Sequence, residues 1–425
     1  MTLTRRELLT KASALAGGAA LVTLPEWSRP AAASTLRMPR PESSGIDHIV
    51  VVMMENRSFD HYLGWLPGAD GTQAGLSFTD ATGVSHSTYH LTDFQGGAHP
   101  DPDHSWLGGR VQYDNGACDG WLHGANDEFA IGYYTAQDLA FYGRAAPAWT
   151  VCDRYFCSIM AETYPNRLYL HAAQTDRLHN NKGPTVSTLP TVWDRLQAAG
   201  RDGRYYFSDA PFTALWGPKY ASISEPVDAF FAACASGRLP DVAYVDPRFL
   251  EEGTGTSGDD HPHADIRVGQ HFLSSLYKAV TTGPAWSRTM FIITYDEWGG
   301  FFDHVPPPVA PDADPKARLR GFRVPCIVVS PRARRGHVAH NVYDHTSILK
   351  LIEWRFGLAP LTKRDAAARN LAEVLDFSRA PNLTAPQWNV PPAVGLPVVS
   401  GNPADYEGWK NLLDQAIANG FGVLV

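Results

Sequence analysis

The apolar run Ile49-Val50-Val51-Val52-Met53-Met54 ends in Glu55-Asn56-Arg57-Ser58-Phe59-Asp60. A second run, Phe291-Ile292-Ile293-Thr294-Tyr295, ends in Asp296-Glu297-Trp298-Gly299-Gly300. A third, from Val242 to Val245, leads into Asp246-Pro247. Carboxylate and amide oxygens are ligands for hard or borderline divalent cations. An acid after one strand is more often a helix cap or a solvated turn. Two acidic clusters after two apolar runs favour a shared cation site instead, with Glu55, Asn56, Asp296 and Glu297 as candidate ligands. Histidines sit among further acids: His104 in Asp101-Pro102-Asp103-His104, His261 and His263 in Asp259-Asp260-His261-Pro262-His263, and His304 after Asp303. Imidazoles beside an anion site can donate to phosphate oxygens or protonate a leaving group.

Other chemistries lack their motifs. There is no Gly-x-Ser-x-Gly elbow and no P-loop, and the Gly-x-Gly-x-x-Gly spacing at 253–258 lies in a Gly/Thr/Ser/Asp loop without the strand-to-helix setting of a dinucleotide fingerprint. His86 and His90 have the spacing of a zinc-protease helix, but no Glu follows His86. A serine hydrolase or a nucleoside-triphosphate motor is therefore disfavoured.

The elements that must position these residues are legible in outline. Apolar runs without alternation fit strands buried on both faces, as in a parallel sheet covered by helices. Ile49 to Met54, Phe291 to Tyr295 and Val324 to Val329 qualify; Arg204 to Phe207 and Val242 to Val245 are shorter candidates. Helical spacing marks Val192 to Ala198, Ile266 to Val280 and Thr346 to Phe356, the last with Asp344 or His345 near its cap. The expected fold is α/β, with a mostly parallel central sheet, helices on both faces and long active-site loops. In open sheets of this kind ligands bind beyond the carboxyl ends of the strands, where the acidic motifs lie. The stretches 67–130 and 253–260 have no clear period and read as functional or disordered loops.

The chain has 425 residues, enough for one large or two ordinary domains. Its formal net charge is −8 and no basic block stands out, which argues against nucleic acid as the main ligand. A phosphate ester remains compatible, because a bound cation supplies positive charge locally. Thr4-Arg5-Arg6 precedes a mild apolar run from Ala12 to Leu24, then Ala31-Ala32-Ala33-Ser34. That order describes an export signal with a small-residue cleavage site, and the paired arginines suit the twin-arginine machinery. The expected organisation is a signal over 1–33, an extended segment over 34–45, a catalytic domain over 46–378, and a Pro-rich segment with a terminal helix over 379–425. The mature form would be exported, with no transmembrane anchor. The five cysteines are expected to be mostly buried thiols with at most two bridges.

Several stretches together resemble the bacterial phosphoesterase family, which contains phospholipases C and a related acid phosphatase. They are Met54-Glu55-Asn56-Arg57-Ser58-Phe59-Asp60-His61, Glu162-Thr163-Tyr164-Pro165-Asn166-Arg167, Asp296-Glu297 through Phe302-Asp303-His304-Val305-Pro306-Pro307, Gly321-Phe322-Arg323-Val324-Pro325 and Asp344-His345-Thr346-Ser347. The resemblance implies a fold similar to the alkaline-phosphatase superfamily. It also implies Thr163 as hydroxyl nucleophile and metal neighbour, Glu55 and Asn56 near metal and phosphate, and Asp296 and Glu297 as metal ligands. The phosphate-facing histidines would fall on His104 and His261, one of them protonating the leaving group. The implied cofactor is one or more divalent ions, with Ca, Mg, Mn and Zn all open. The implied substrate is a phosphate ester, either a phosphatidylcholine-like phospholipid at a membrane surface or a broad range of phosphomonoesters. A non-catalytic binding protein on the same fold is the third reading. Trp65, Trp106, Trp121, Tyr133, Tyr134 and Trp298 would either wall a choline head group by cation–π contact or pack against the core.

Overall fold

The computed structural model describes residues 38–180, 186–398 and 407–422. The expected export signal over 1–33 lies outside the described residues, as does the start of the expected extended segment.

Eight strands form the central sheet. They are β1 (His48–Met54), β2 (Thr150–Cys152), β3 (Gly203–Phe207), β4 (Ser224–Pro226), β5 (Val242–Val245), β6 (Thr289–Tyr295), β7 (Cys326–Val329) and β8 (His337–Ala339), in the order β8-β2-β7-β6-β1-β5-β3-β4. β1 lies between β6 and β5 and is parallel to both, with Met54 beside Tyr295 and Val52 beside Val245. Ile49 to Met54 and every residue of β6 are buried, as the lack of alternation requires.

One expectation needs correction. The Val324–Val329 run was assigned by its pattern to a parallel, doubly covered strand, but β7 is antiparallel to both its neighbours, β6 and β2. A continuous apolar run reports burial on both faces and carries no information about direction. The connection from β6 to β7 holds one short 3-10 turn and no crossover helix, so the chain turns back at the carboxyl end of the sheet. The other pairings are parallel, so the sheet is α/β and mostly parallel.

The helices that matter to the site are α1 (Phe59–Leu63), α2 (Trp106–Tyr113), α3 (Thr163–Ala172), α4 (Val192–Ala198), α5 (Val227–Ser236), α6 (Ile266–Thr282), α7 (His345–Phe356) and α8 (Glu407–Ala418). α7 starts as its sequence suggests: Asp344 caps it by accepting from the Thr346 N–H at 2.9 Å, and Ser347 returns a bond to the cap backbone. α3 is different, because all ten of its residues are buried and no polar face marks it. Pro165 is tolerated there because it lies in the first turn, where no intrahelical donor is needed. The stretch 67–130 is held by small pieces: the pair Ser77–Thr79 with Ser85–Ser87, the pair Tyr89–His90 with Gly132–Tyr133, and α2. From α8, Trp409 stacks on Phe249 with centroids 3.8 Å apart, and the Tyr164 hydroxyl donates to the Gly408 carbonyl at 2.9 Å.

Candidate active site

The carboxyl ends of three adjacent strands deliver Glu55 and Asn56 (β1), Asp246 (β5) and Asp296 and Glu297 (β6) to one place, and α3 points its first residue at them. Glu55, Asn56, Asp296 and Glu297 are all fully buried. The Thr163 hydroxyl donates to Glu55 Oε2 at 3.2 Å. Thr163 is the first helical residue and Glu162 is the cap, so the hydroxyl is not spent on capping.

The turn after β1 is built to bring the two acidic motifs together. Asn56 adopts a left-handed conformation, φ 59°, which Asn tolerates better than most residues. This aims its N–H at Asp296 Oδ1, 3.2 Å away. The same Asp296 oxygen accepts from the Glu297 N–H at 2.7 Å, and Glu297 Oε2 accepts from the Gly299 N–H at 2.8 Å. Gly299, φ 64°, is required here, since a β-carbon would collide with the Asn56 carbonyl oxygen.

Three buried oxygens in this group have no hydrogen-bond partner: Asn56 Oδ1, Asp296 Oδ2 and Glu297 Oε1. Leaving such atoms dry and unpaired costs about 1–3 kcal/mol each, more if charged. Together with Glu55 and the Thr163 hydroxyl they are oxygen donors of the type a divalent cation takes; among the described residues, the carboxylate and imidazole groups whose ligand atoms lie within 4.8 Å of one another are Asp101, His104 and His261, and Asp60, Asp303 and His304. Burial pushes the Glu55 carboxyl well up, and Asp296 beside it adds to this against the pull of Arg167. Burial likewise raises Glu297, with His104 opposing. A bound cation would reverse both directions.

Arg167 is the member that spacing alone does not reveal. It lies one turn beyond Thr163 on α3, and only 2% of its side chain is exposed. Its guanidinium donates to Glu55 Oε1 at 2.9 Å and to Asp246 Oδ1 at 3.1 Å, and Nε lies 3.4 Å from Asp296 Oδ2. It also reaches the Met53 carbonyl at 3.2 Å and sits 4.6 Å from the Phe249 ring centre. The signal available in the sequence was the i,i+4 relation to Thr163, which puts both on one helix face. Asp246 was visible only as an acid after a strand; it bonds Arg167 and the Tyr205 hydroxyl.

His104 and His261 come together at the rim, with ring centres 5.7 Å apart. His104 donates from Nδ1 to the Pro102 carbonyl at 2.8 Å, and its Nε2 lies 3.4 Å from the Asn56 amide nitrogen and 3.8 Å from Glu297 Oε1. Burial alone would lower its pKa, but Glu297 and Asp101 outweigh burial and push it up to about 10. His261 goes the other way, held well below the usual value by burial and by His104 beside it. The pair therefore offers one charged and one neutral imidazole. Neutral, His104 accepts from Asn56; charged, it turns its proton to Glu297 or to an anion. Asp101, His104 and His261 also present three potential ligand atoms within 4.8 Å of one another.

His263 and His304 do not join the site. His263 bonds the His99 carbonyl through Nε2 at 2.9 Å. His304 belongs to a knot with buried Asp60, Asp303 and Arg323 and half-buried Asp70. Its Nδ1 lies 2.5 Å from Asp60 Oδ2 and its Nε2 3.3 Å from Asp70 Oδ1, while Arg323 donates to Asp303 at 2.9 Å and to Asp60 at 3.0 Å. Asp60, Asp303 and His304 also present three potential ligand atoms within 4.8 Å of one another, and Arg323 pairs with both carboxylates there, as Arg167 does with Glu55 and Asp296. Burial works against His304, but its bonds to Asp60 and Asp70 raise it to about 10. A raised histidine stabilises the fold fully below its unfolded value of about 6.5, and this is lost as pH climbs through 10. Urea midpoints should therefore fall between pH 7 and 10.5 more for the native chain than for His304→Gln; parallel profiles would show that the knot does not need the imidazolium.

Burial decides for core packing at three of the six aromatics, and Trp65 and Tyr133 are partly buried against the core. Trp121, Tyr134 and Trp298 are fully buried core residues. Trp106 does lie near His104, but Arg110 covers its ring at 3.1 Å. All five cysteines are buried thiols in this structure.

The Phosphoesterase family profile matches residues 46–359. Phospholipase C A of Mycobacterium tuberculosis is 31% identical over 93% of this chain and 89% of its own length. Non-hemolytic phospholipase C of Pseudomonas aeruginosa is 30% identical over 80% of this chain and 59% of its own. Among solved structures, a protein in the alkaline phosphatase superfamily from Vibrio parahaemolyticus overlaps 68% of this chain and 86% of its own, at TM-score 0.35 and 8% identity. With the profile spanning most of the chain and the acidic motifs assembled at one sheet edge, the chain belongs to the Phosphoesterase family and is a hydrolase of phosphoric ester bonds.

Proposed function

We propose that this protein is an exported, divalent-metal-dependent phospholipase C that cleaves phosphatidylcholine-like phospholipids through a phospho-Thr163 intermediate. The observation that carries the reading is the Thr163 hydroxyl at the head of α3, bonded at 3.2 Å to Glu55, which follows β1 beside the acidic motif of β6. The names of the curated relatives support the phospholipid substrate.

Glu55, Asn56, Asp296, Glu297 and Thr163 would hold the cation. When bound, it withdraws charge from the phosphoryl oxygens and makes the threonine hydroxyl easier to deprotonate. Thr163 attacks phosphorus in line, and Glu55 orients its hydroxyl. The backbone N–H groups at the start of α3 favour the negative charge gathering there. Asn56 and His104 donate to the phosphoryl oxygens as their charge redistributes. His104 or His261 gives a proton to the departing diacylglycerol alkoxide, and water then releases phosphocholine from Thr163, or phosphate where the substrate is a monoester. The oxygen donors suit Mg, Mn or Ca; the Asp101, His104 and His261 group would draw in Zn.

Phosphatidylcholine vesicles and a soluble phosphomonoester should be assayed side by side, with and without chelator. Diacylglycerol release that chelator abolishes and divalent ions restore is expected. Turnover of the monoester alone would make the protein an acid-phosphatase-type enzyme, and chelator-resistant turnover would remove the metal. Neither substrate being hydrolysed would leave the binding-protein reading.

Arg5-Arg6 ahead of a mild apolar run supports the twin-arginine route. The double variant Arg5→Lys with Arg6→Lys should accumulate as precursor inside the cell. Normal export of that variant would assign the general secretory route.

A further inference from the structure

β7 and β2 are antiparallel, with Ile327 opposite Val151 and Val328 opposite Thr150. One step further along that register, Cys326 stands opposite Cys152. Both side chains are fully buried, and the two thiols interact with each other. Two of the other cysteines turn to backbone instead: Cys157 donates to the Ile159 carbonyl at 3.6 Å and Cys118 to the Gly116 carbonyl at 3.8 Å. β-Carbons of directly opposed residues on antiparallel strands are about 4.5–5.5 Å apart. A disulfide needs about 3.5–4.5 Å. A closure of roughly one ångström between two edge-side strands would join them.

We propose that Cys152 and Cys326 are a dithiol that closes to a cross-strand disulfide when the chain folds in the presence of a low-molecular-weight disulfide. One cysteine, as thiolate, attacks the oxidant's disulfide; a mixed disulfide forms and one oxidant thiol leaves. The second cysteine attacks the mixed disulfide, the Cys152–Cys326 bond forms, and the second oxidant thiol leaves. The two cysteines lose two electrons and two protons, and the oxidant is reduced to two thiols. Because both sulfurs are buried, the exchange belongs to folding or to a transient opening of β2 from β7. Cys326 also stands opposite Thr294 on β6, two residues before Asp296, so the link would brace the strand beside the candidate ligands. The alternative is that both thiols serve as small apolar fillers.

The full chain should be refolded from denaturant in a mixture of oxidised and reduced glutathione, then denatured and its thiols titrated. Of the five thiols, three should remain. A peptide map should show 152 joined to 326, and the melting temperature should exceed that of the dithiothreitol-treated protein by several degrees. In Cys326→Ala, oxidant should no longer shift the melting temperature. Should that variant not fold, the peptide map of the native sequence decides alone. Five free thiols after oxidative refolding, or a cross-link that uses Cys118, Cys157 or Cys234, would overturn the assignment.

Discussion

Replacing Thr163 by alanine is expected to cut turnover by several orders of magnitude and to leave the fold nearly intact. The hydroxyl makes one side-chain bond, to Glu55, and Glu162 rather than Thr163 caps α3. Losing one such bond costs about 1 kcal/mol of stability, a modest part of the roughly 5–15 kcal/mol of an ordinary domain. If Thr163 attacks phosphorus, the loss of chemistry is far larger than the loss of stability, because among the described residues Thr163 is the hydroxyl that bonds Glu55. Thr163→Ser keeps the oxygen and should retain appreciable activity. Rapid quench with a slow substrate, followed by mass spectrometry, should find phosphate on Thr163. Wild-type turnover by Thr163→Ala would instead assign the attack to water.

The second large effect is expected at Arg167. Its guanidinium is buried between Glu55, Asp246 and Asp296. Arg167→Met preserves much of the volume but leaves three carboxylates facing one another in a dry site. Removing one partner of a buried ion pair costs about 3–5 kcal/mol, which would consume much of the total stability. In chelator, Arg167→Met should unfold at much lower urea than the native chain. Added Mg, Mn or Ca should recover part of the loss, because a cation takes over some of the missing charge. Arg167→Lys should fall between, since one ammonium cannot reproduce the fork that reaches several oxygens. Equal urea midpoints for Arg167→Met and the native chain in chelator would mean that those carboxylates are neutral when no cation is bound.

Much of this arrangement could be read from the chain before the structure. β1, β5 and β6 follow from uninterrupted apolar runs, α4 and α6 from period 3.6, and α7 from period and cap. Glu55, Asn56, Asp296 and Glu297 follow because a polar cluster after a buried strand falls at the carboxyl edge of the sheet. The rest is hidden for definite reasons. α3 is buried all round, so it has no amphipathic period to detect. The direction of β7 depends on the missing crossover helix, not on its residues. Arg167 carries no sign of burial in its neighbours, and its three partners lie 79 to 129 positions away. Trp121 and Trp298 look like binding aromatics in a loop-rich stretch, yet tertiary packing takes them into the core. His304 shares the Asp-His pattern of the site histidines but is claimed by Arg323 and Asp60.

The pairing of β1 with β6 has a consequence in time. Asn56 meets Asp296 across 240 positions of chain, and the ring closes only when β6 docks beside β1. Closing so long a loop is entropically slow, and contacts of this range form late in folding. During synthesis at about 5–20 residues per second, Glu55 and Asn56 emerge many seconds before Asp296 and Glu297. Until then the ligand set is half present and Thr163 has no completed centre to serve. On the proposed mechanism, a nascent or truncated chain ending before β6 would be inert towards phosphate esters.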